Sequence, residues 1–177
     1  CAPFLGTTLD DGDRIEFGTA PDGSSDWYLT AWHTPGHDRG HLCFRESRYG
    51  AWIGGDLAST VSTIMIDPPE GHMRTYLDSV ARIQAEPSGT FYPAHGPAAP
   101  DSQALLERLL DHRNQRQGKL LAALSSEPRA IDQLVTEVYA DVATELHCFA
   151  ARSLRAGLEM AAEAGEAMEE PSGWRRA

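Results

Sequence analysis

Hydrophobic and polar positions divide the chain into a strand-rich first part and a helix-rich second part. "RIEFG" (14–18) and "WYLTAWH" (27–33) carry aromatic and β-branched residues and flank "TAPDGSSD", a run of turn formers. "HLCFRES" (41–47) and "YGAWIGGD" (49–56) form a second strand pair around a short turn. "STVSTIMIDPPEG" reads as a loop. From His72 onward Met73, Tyr76, Leu77, Val80 and Ile83 recur at helical spacing, which predicts an amphipathic helix to about Gln84. "TFYPAHGP" is a short strand that breaks at Pro93.

Beyond Pro100, Asp101 or Ser102 offers an N-cap for a long helix. Its stripe runs through Leu105, Leu109, His112, Arg116, Leu120 and Leu124. "AIDQLVTEVYA" and "TELHCFAARSLRAGLEMAAEA" predict two more helices, and "EAMEEPSGWRRA" a hairpin turning at Pro171–Gly173. Three helices and a hairpin describe a winged-helix-like module. The boundary near Pro97 to Ser102 gives two expected domains, 1–100 and 101–177.

Charge narrows the partners. With 15 basic and 26 acidic residues the net charge is −11, which repels phosphate backbones. Arg108, Arg113, Arg116 and Lys119 gather on the long helix and are expected to form a solvated or salt-bridged face, and Arg113 and Arg116 either face an anionic substrate beside His95 or serve as a structural buttress. The third helix holds only Arg152 and Arg155 among its acidic residues, so genomic DNA is not an expected partner. No apolar run approaches the ~20 residues of a membrane helix. Cys1, Cys43 and Cys148 lack a C-x-x-C pattern and fit a reducing, cytoplasmic setting, as buried or incidental thiols. The chain begins at Cys1 followed by "APFLGTTLDDGD", which reads as the interior of a longer protein.

The chemistry lies in histidines and one aspartate. "AWHTPGHDRG" places His33 and His37 around Thr-Pro-Gly, "WIGGD" ends on Asp56, and "FYPAHGP" carries His95. Imidazole and carboxylate on loops at strand ends suit a metal, and glycines beside each allow the backbone to turn or approach closely. His33 and His41 fit strand-end packing or a supporting role. His112 fits a structural hydrogen bond between domains, and Trp27, Trp32, Trp52 and Tyr92 fit the core.

"HTPGH", "GGD" nineteen residues after His37, and "PAHGP" together resemble the downstream half of the metallo-β-lactamase-fold hydrolase pattern. "STVSTIMIDPPEGHMRTYLDSVARI" and "DHRNQRQGKLLAAL" are similar to the lactamase-β-like group, which includes endoribonucleases, resembles glyoxalase II and carries a C-terminal winged helix. The resemblance implies an α/β (α+β) fold: the downstream half of an αββα sandwich, with one sheet face and edge uncovered. It implies that His37 binds one zinc, Asp56 bridges two, and His95 binds the second. It further implies zinc-activated water attacking an ester-type bond, in RNA or in a small-molecule thioester. The family's H-x-H-x-D-H motif is absent here, and Asp38 stands where the family usually has Thr. Metal is therefore expected to bind this chain alone weakly or not at all. A non-catalytic fragment or degenerate paralogue is the alternative, and a winged-helix nucleic-acid-binding module the third reading.

Overall fold

The computed structural model describes residues 8–177; Cys1 lies outside them. Four strands come first: β1 (Arg14–Gly18), β2 (Trp27–His33), β3 (Leu42–Glu46) and β4 (Trp52–Gly55). Helix α1 (Met73–Gln84) leads to β5 (Phe91–Pro93). The sheet order is β1-β2-β3-β4-β5. The first four strands are an antiparallel meander, and β5 joins β4 in parallel after the α1 crossover.

This topology gathers three loops. The β2–β3 loop, the end of β4 and the end of β5 all fall at one end of the sheet. One sheet face is sealed: Cys43, Trp52 and Phe91 pack with Tyr76, Val80 and Ile83 of α1 and with Leu105 and Leu106. On the other face Phe44, Ile53 and Tyr92 are cross-strand partners. There Ile53 is 45% and Tyr92 50% exposed. Tyr92 is therefore not a core residue among the described ones, because it points away from the helices. Trp52 is fully buried, and Trp27 and Trp32 are half-buried.

Helix α2 (Ser102–Ala123) is capped by Asp101, whose side chain accepts from Ala104 N. It is followed by α3 (Ile131–Val138), a single 3₁₀ turn at Thr144–Leu146, α4 (His147–Glu163), and the hairpin β6 (Ala167–Glu170) and β7 (Gly173–Arg176). The predicted third helix thus begins as a 3₁₀ turn and becomes α-helical at His147. Leu120, Leu134, Leu154, Leu158 and Trp174 form the core of this region. On α2 the buried stripe runs through Leu105, Leu106, Arg113 and Leu120. His112 is exposed and makes no hydrogen bond among the described residues.

Candidate metal centre

The three metal-ligand candidates meet at the gathered loops. Asp56 Oδ2 lies 4.0 Å from His37 Nε2, and Oδ1 lies 3.3 Å from His95 Nε2. His37 and Asp56 are half-buried and His95 is largely exposed.

Each is held from behind. Gly36 has φ +128, and a Cβ there would lie 2.3 Å from Tyr76 Cα, so the turn before His37 rests directly on the α1 backbone. Gly36 O accepts from His72 N, the residue that caps α1. Asp38 Oδ1 accepts from Gly40 N at 2.7 Å, so the carboxylate tightens this turn locally. At the end of β4 a Cβ on Gly54 would stand 1.8 Å from the Phe91 ring, and only glycine lets the strand reach Asp56 this way.

The hydrogen bonds decide which nitrogens are available. His37 Nδ1 lies 2.8 Å from Met65 O. A carbonyl only accepts, so Nδ1 carries the proton and Nε2 presents its lone pair to Asp56. His41 supports the aspartate. Its Nε2 accepts from Asp56 N at 3.0 Å, and its Nδ1 is 2.8 Å from Thr34 Oγ1. Burial first, and the neighbouring His37 second, push the His41 pKa below its ordinary value, which keeps it neutral and able to accept. Thr34 is buried and also donates to Cys43 Sγ at 3.3 Å. Burial pushes the Cys43 thiol up to about 12, so it is not a nucleophile. His33 Nε2 lies 2.8 Å from Arg39 O.

Among the described residues no group of three or more His, Cys, Asp or Glu could hold a metal ion by itself. The donors are right in kind but short in number. Two imidazole nitrogens and a carboxylate are good ligands for zinc or iron, and each imidazole shares Asp56 through a different oxygen. That arrangement suits a carboxylate set between two ions, with further ligands needed to complete either coordination shell. The residues present fit part of such a centre.

The basic helix positions are used structurally. Arg113 is 6% exposed and donates to Ile64 O. Arg116 donates to Val138 O and to Asp141 at 2.8 Å, and Lys119 pairs with Asp141. Neither arginine stands free at the candidate centre. Arg152 pairs with Asp67, and Arg155 with Glu159 and Glu169.

Comparison with known proteins places this arrangement. No family model matches the chain. The chain is 28% identical over 121 residues to the atrochrysone carboxyl ACP thioesterase AacuM of Aspergillus aculeatus, covering 67% of this chain and 38% of that protein. It is 27% identical over 162 residues to the probable metallo-hydrolase YqjP of Bacillus subtilis, covering 87% of this chain and 50% of that protein. A metallo-β-lactamase family protein from Thermus thermophilus superposes with a TM-score of 0.81 at 22% identity, over 99% of this chain and 56% of that one. The fold is that of a metallo-β-lactamase, and the curated proteins the chain is similar to include lactamase-like proteins and a metallo-hydrolase. It spans about half the length, or less, of the curated relatives it matches. These relatives imply metal ions. No helix among the described residues is long and apolar enough to cross a membrane.

Proposed function

We propose that residues 1–100 are the downstream part of a metal-dependent hydrolase domain and residues 101–177 a winged-helix-like module. The observation that carries this reading is Asp56, which offers one carboxylate oxygen to His37 and the other to His95. These three residues would hold the metal, zinc in the first instance. A bound pair of ions would bring the pKa of water near ~7 and polarise the substrate's carbonyl or phosphoryl oxygen. The chain's own part is to fix the donors: Met65 O sets the His37 tautomer, and His41 pins the Asp56 backbone.

The bond is of ester type. In thioester hydrolysis the water oxygen bonds to the acyl carbon, the C–S bond breaks, and the thiol leaves with a proton while the acid is released. A thioester is favoured over RNA for two reasons. The relative from Aspergillus aculeatus is named as an acyl carrier protein thioesterase. On α2 and α4, Arg116, Arg152 and Arg155 are held by carboxylates and Arg113 is sunk among side chains, so no row of exposed cations is left to follow a phosphate backbone. The same use of arginine disfavours genomic DNA as a partner, and the cysteine usage supports a cytoplasmic setting.

The test is hydrolysis of an acyl thioester, and of single-stranded RNA, by the complete gene product loaded with zinc, manganese or iron(II). Thioester cleavage that falls at least a hundredfold in Asp56→Asn supports the reading. Cleavage of neither bond overturns it and leaves a non-catalytic paralogue. The 177-residue chain alone should hold metal weakly, and two tightly bound zincs on it would contradict the proposed incompleteness.

A further inference from the structure

A groove of about 580 Å³ lies between the 61–65 loop and the α2, α3 and α4 region. Its size is that of a small-molecule site, for which ~300–1,000 Å³ is usual. Two observations set it apart from ordinary surface. Val61, Leu146 and Phe149, which line it, are all large apolar residues standing in solvent, Leu146 being 51% and Phe149 52% exposed. Arg113, which also lines it, is almost wholly buried, yet its Nε has no hydrogen-bond partner and no carboxylate pairs with it among the described residues. A buried guanidinium without a counter-ion is costly unless an anion joins it. The other arginine of the lining, Arg116, is already neutralised by Asp141.

The groove and the candidate metal centre share the 61–65 loop, while His37, Asp56 and His95 themselves lie outside the groove's lining. Met65, at one end of that loop, gives its carbonyl to His37. Val61, at the other, abuts Gly96: a Cβ there would lie 2.9 Å from Val61 Cγ1. A molecule in the groove therefore touches the segment that braces both histidines.

We infer that this groove binds the acyl part of the substrate, an apolar aliphatic or aromatic body lying against Val61, Leu146 and Phe149, with an anionic oxygen group paired to Arg113. The word substrate rests on the hydrolase reading above; the ligand chemistry rests on the groove alone. A polynucleotide fits it poorly, since a phosphate backbone asks for several unpaired cations, and among the described residues Arg113 is the one arginine of the lining without a carboxylate partner.

Binding tests this without catalysis. Calorimetry on the 177-residue chain compares octanoate with octanamide, which has the same tail and no charge. Octanoate should bind about tenfold tighter, the scale of a charge-assisted hydrogen bond, and Arg113→Met should erase that difference. The double variant L146S/F149S changes only exposed side chains and keeps the fold, so it remains informative if Arg113→Met does not fold. It should weaken both ligands about tenfold, and Met168→Ser, exposed elsewhere, should change neither. Equal affinity for acid and amide, or affinity untouched by L146S/F149S, overturns the inference. If octanoate binds as described but the complete gene product cleaves no thioester, the hydrolase reading falls and the groove stands as an organic-acid site.

Discussion

On the helix-facing side of the sheet Cys43, Trp52 and Phe91 are sealed, while on the opposite side Ile53 and Tyr92 meet solvent. In the second region Leu134, Leu154, Leu158 and Trp174 are enclosed by α2, α3, α4 and the hairpin. The first region thus carries chemistry on a layer finished on one side; the second closes its own core. Their difference shows what each asks of its residues. The site depends on close backbone approaches, at Gly36 and Gly54, that a single methyl would destroy. The helical region depends on ordinary apolar burial. Helix α2 joins them, since Leu105 and Leu106 belong to the first core and Leu120 and Ala123 to the second.

The contrast can be broken most severely at Gly54. Gly54→Ala drives a methyl into the Phe91 ring, and a loss of more than ~3 kcal/mol is expected by urea denaturation, enough to unfold the sheet region. Leu134→Ala, in the enclosed core, should cost about 2–5 kcal/mol by cavity formation. Because α2 spans both cores, calorimetry of that variant should show one transition moved down; two separate transitions would show that the regions melt independently. Thr34→Val leaves His41 Nδ1 without its partner, for an expected cost of about 1–3 kcal/mol. The same change should weaken zinc binding about tenfold or more in the complete gene product, measured by competition with a chelator, as loss of a supporting partner does elsewhere.

The smallest effect sharpens the link between the regions. His72 at the start of α1 and Arg74 both bond Glu163 near the end of α4. The His72 hydrogen bond first, and then Arg74, hold the Glu163 carboxyl below its ordinary 4.5. A depressed carboxyl pKa stabilises the fold above the unfolded value and loses that contribution as pH falls through the folded one. Glu163→Gln should therefore lower stability at pH 7 and converge with the parent as the pH falls through the depressed folded value, below the ordinary carboxyl range. The group is exposed, so the difference should be at most ~1 kcal/mol.

Much of the first region was legible because turn residues punctuate it: "TAPDGSSD" and the glycines of "GGD" bound strands, and the spacing from Met73 to Ile83 gives α1 with His72 at its cap. The convergence of His37, Asp56 and His95 follows from a topology that one-dimensional spacing does not display, and the resemblance supplied it. For His41 the structure decides between strand-end packing and a supporting role, since its ring fixes the Asp56 amide. Its position four residues after His37 looks like an ordinary strand start, and nothing local marks it as a partner of a residue fifteen positions on. The burial of Arg113 was not legible, for the opposite reason. Among three other cations on a helix it reads as surface, and only packing against Tyr76 and Ile64 buries it. Tyr92 misleads similarly, since an aromatic in a strand does not say which face of the sheet has neighbours.

The half-covered sheet also makes the chain a colloid with two opposing tendencies. A net charge of −11 keeps copies apart, while the strip of Phe44, Ile53 and Tyr92 draws them together wherever they touch face to face. Added salt shortens the reach of the first force, to about 10 Å at 0.1 M, and leaves the second nearly untouched. Ionic strength thereby becomes the variable that sets whether this polypeptide stays dispersed, with the crossover governed by which of those side chains are covered.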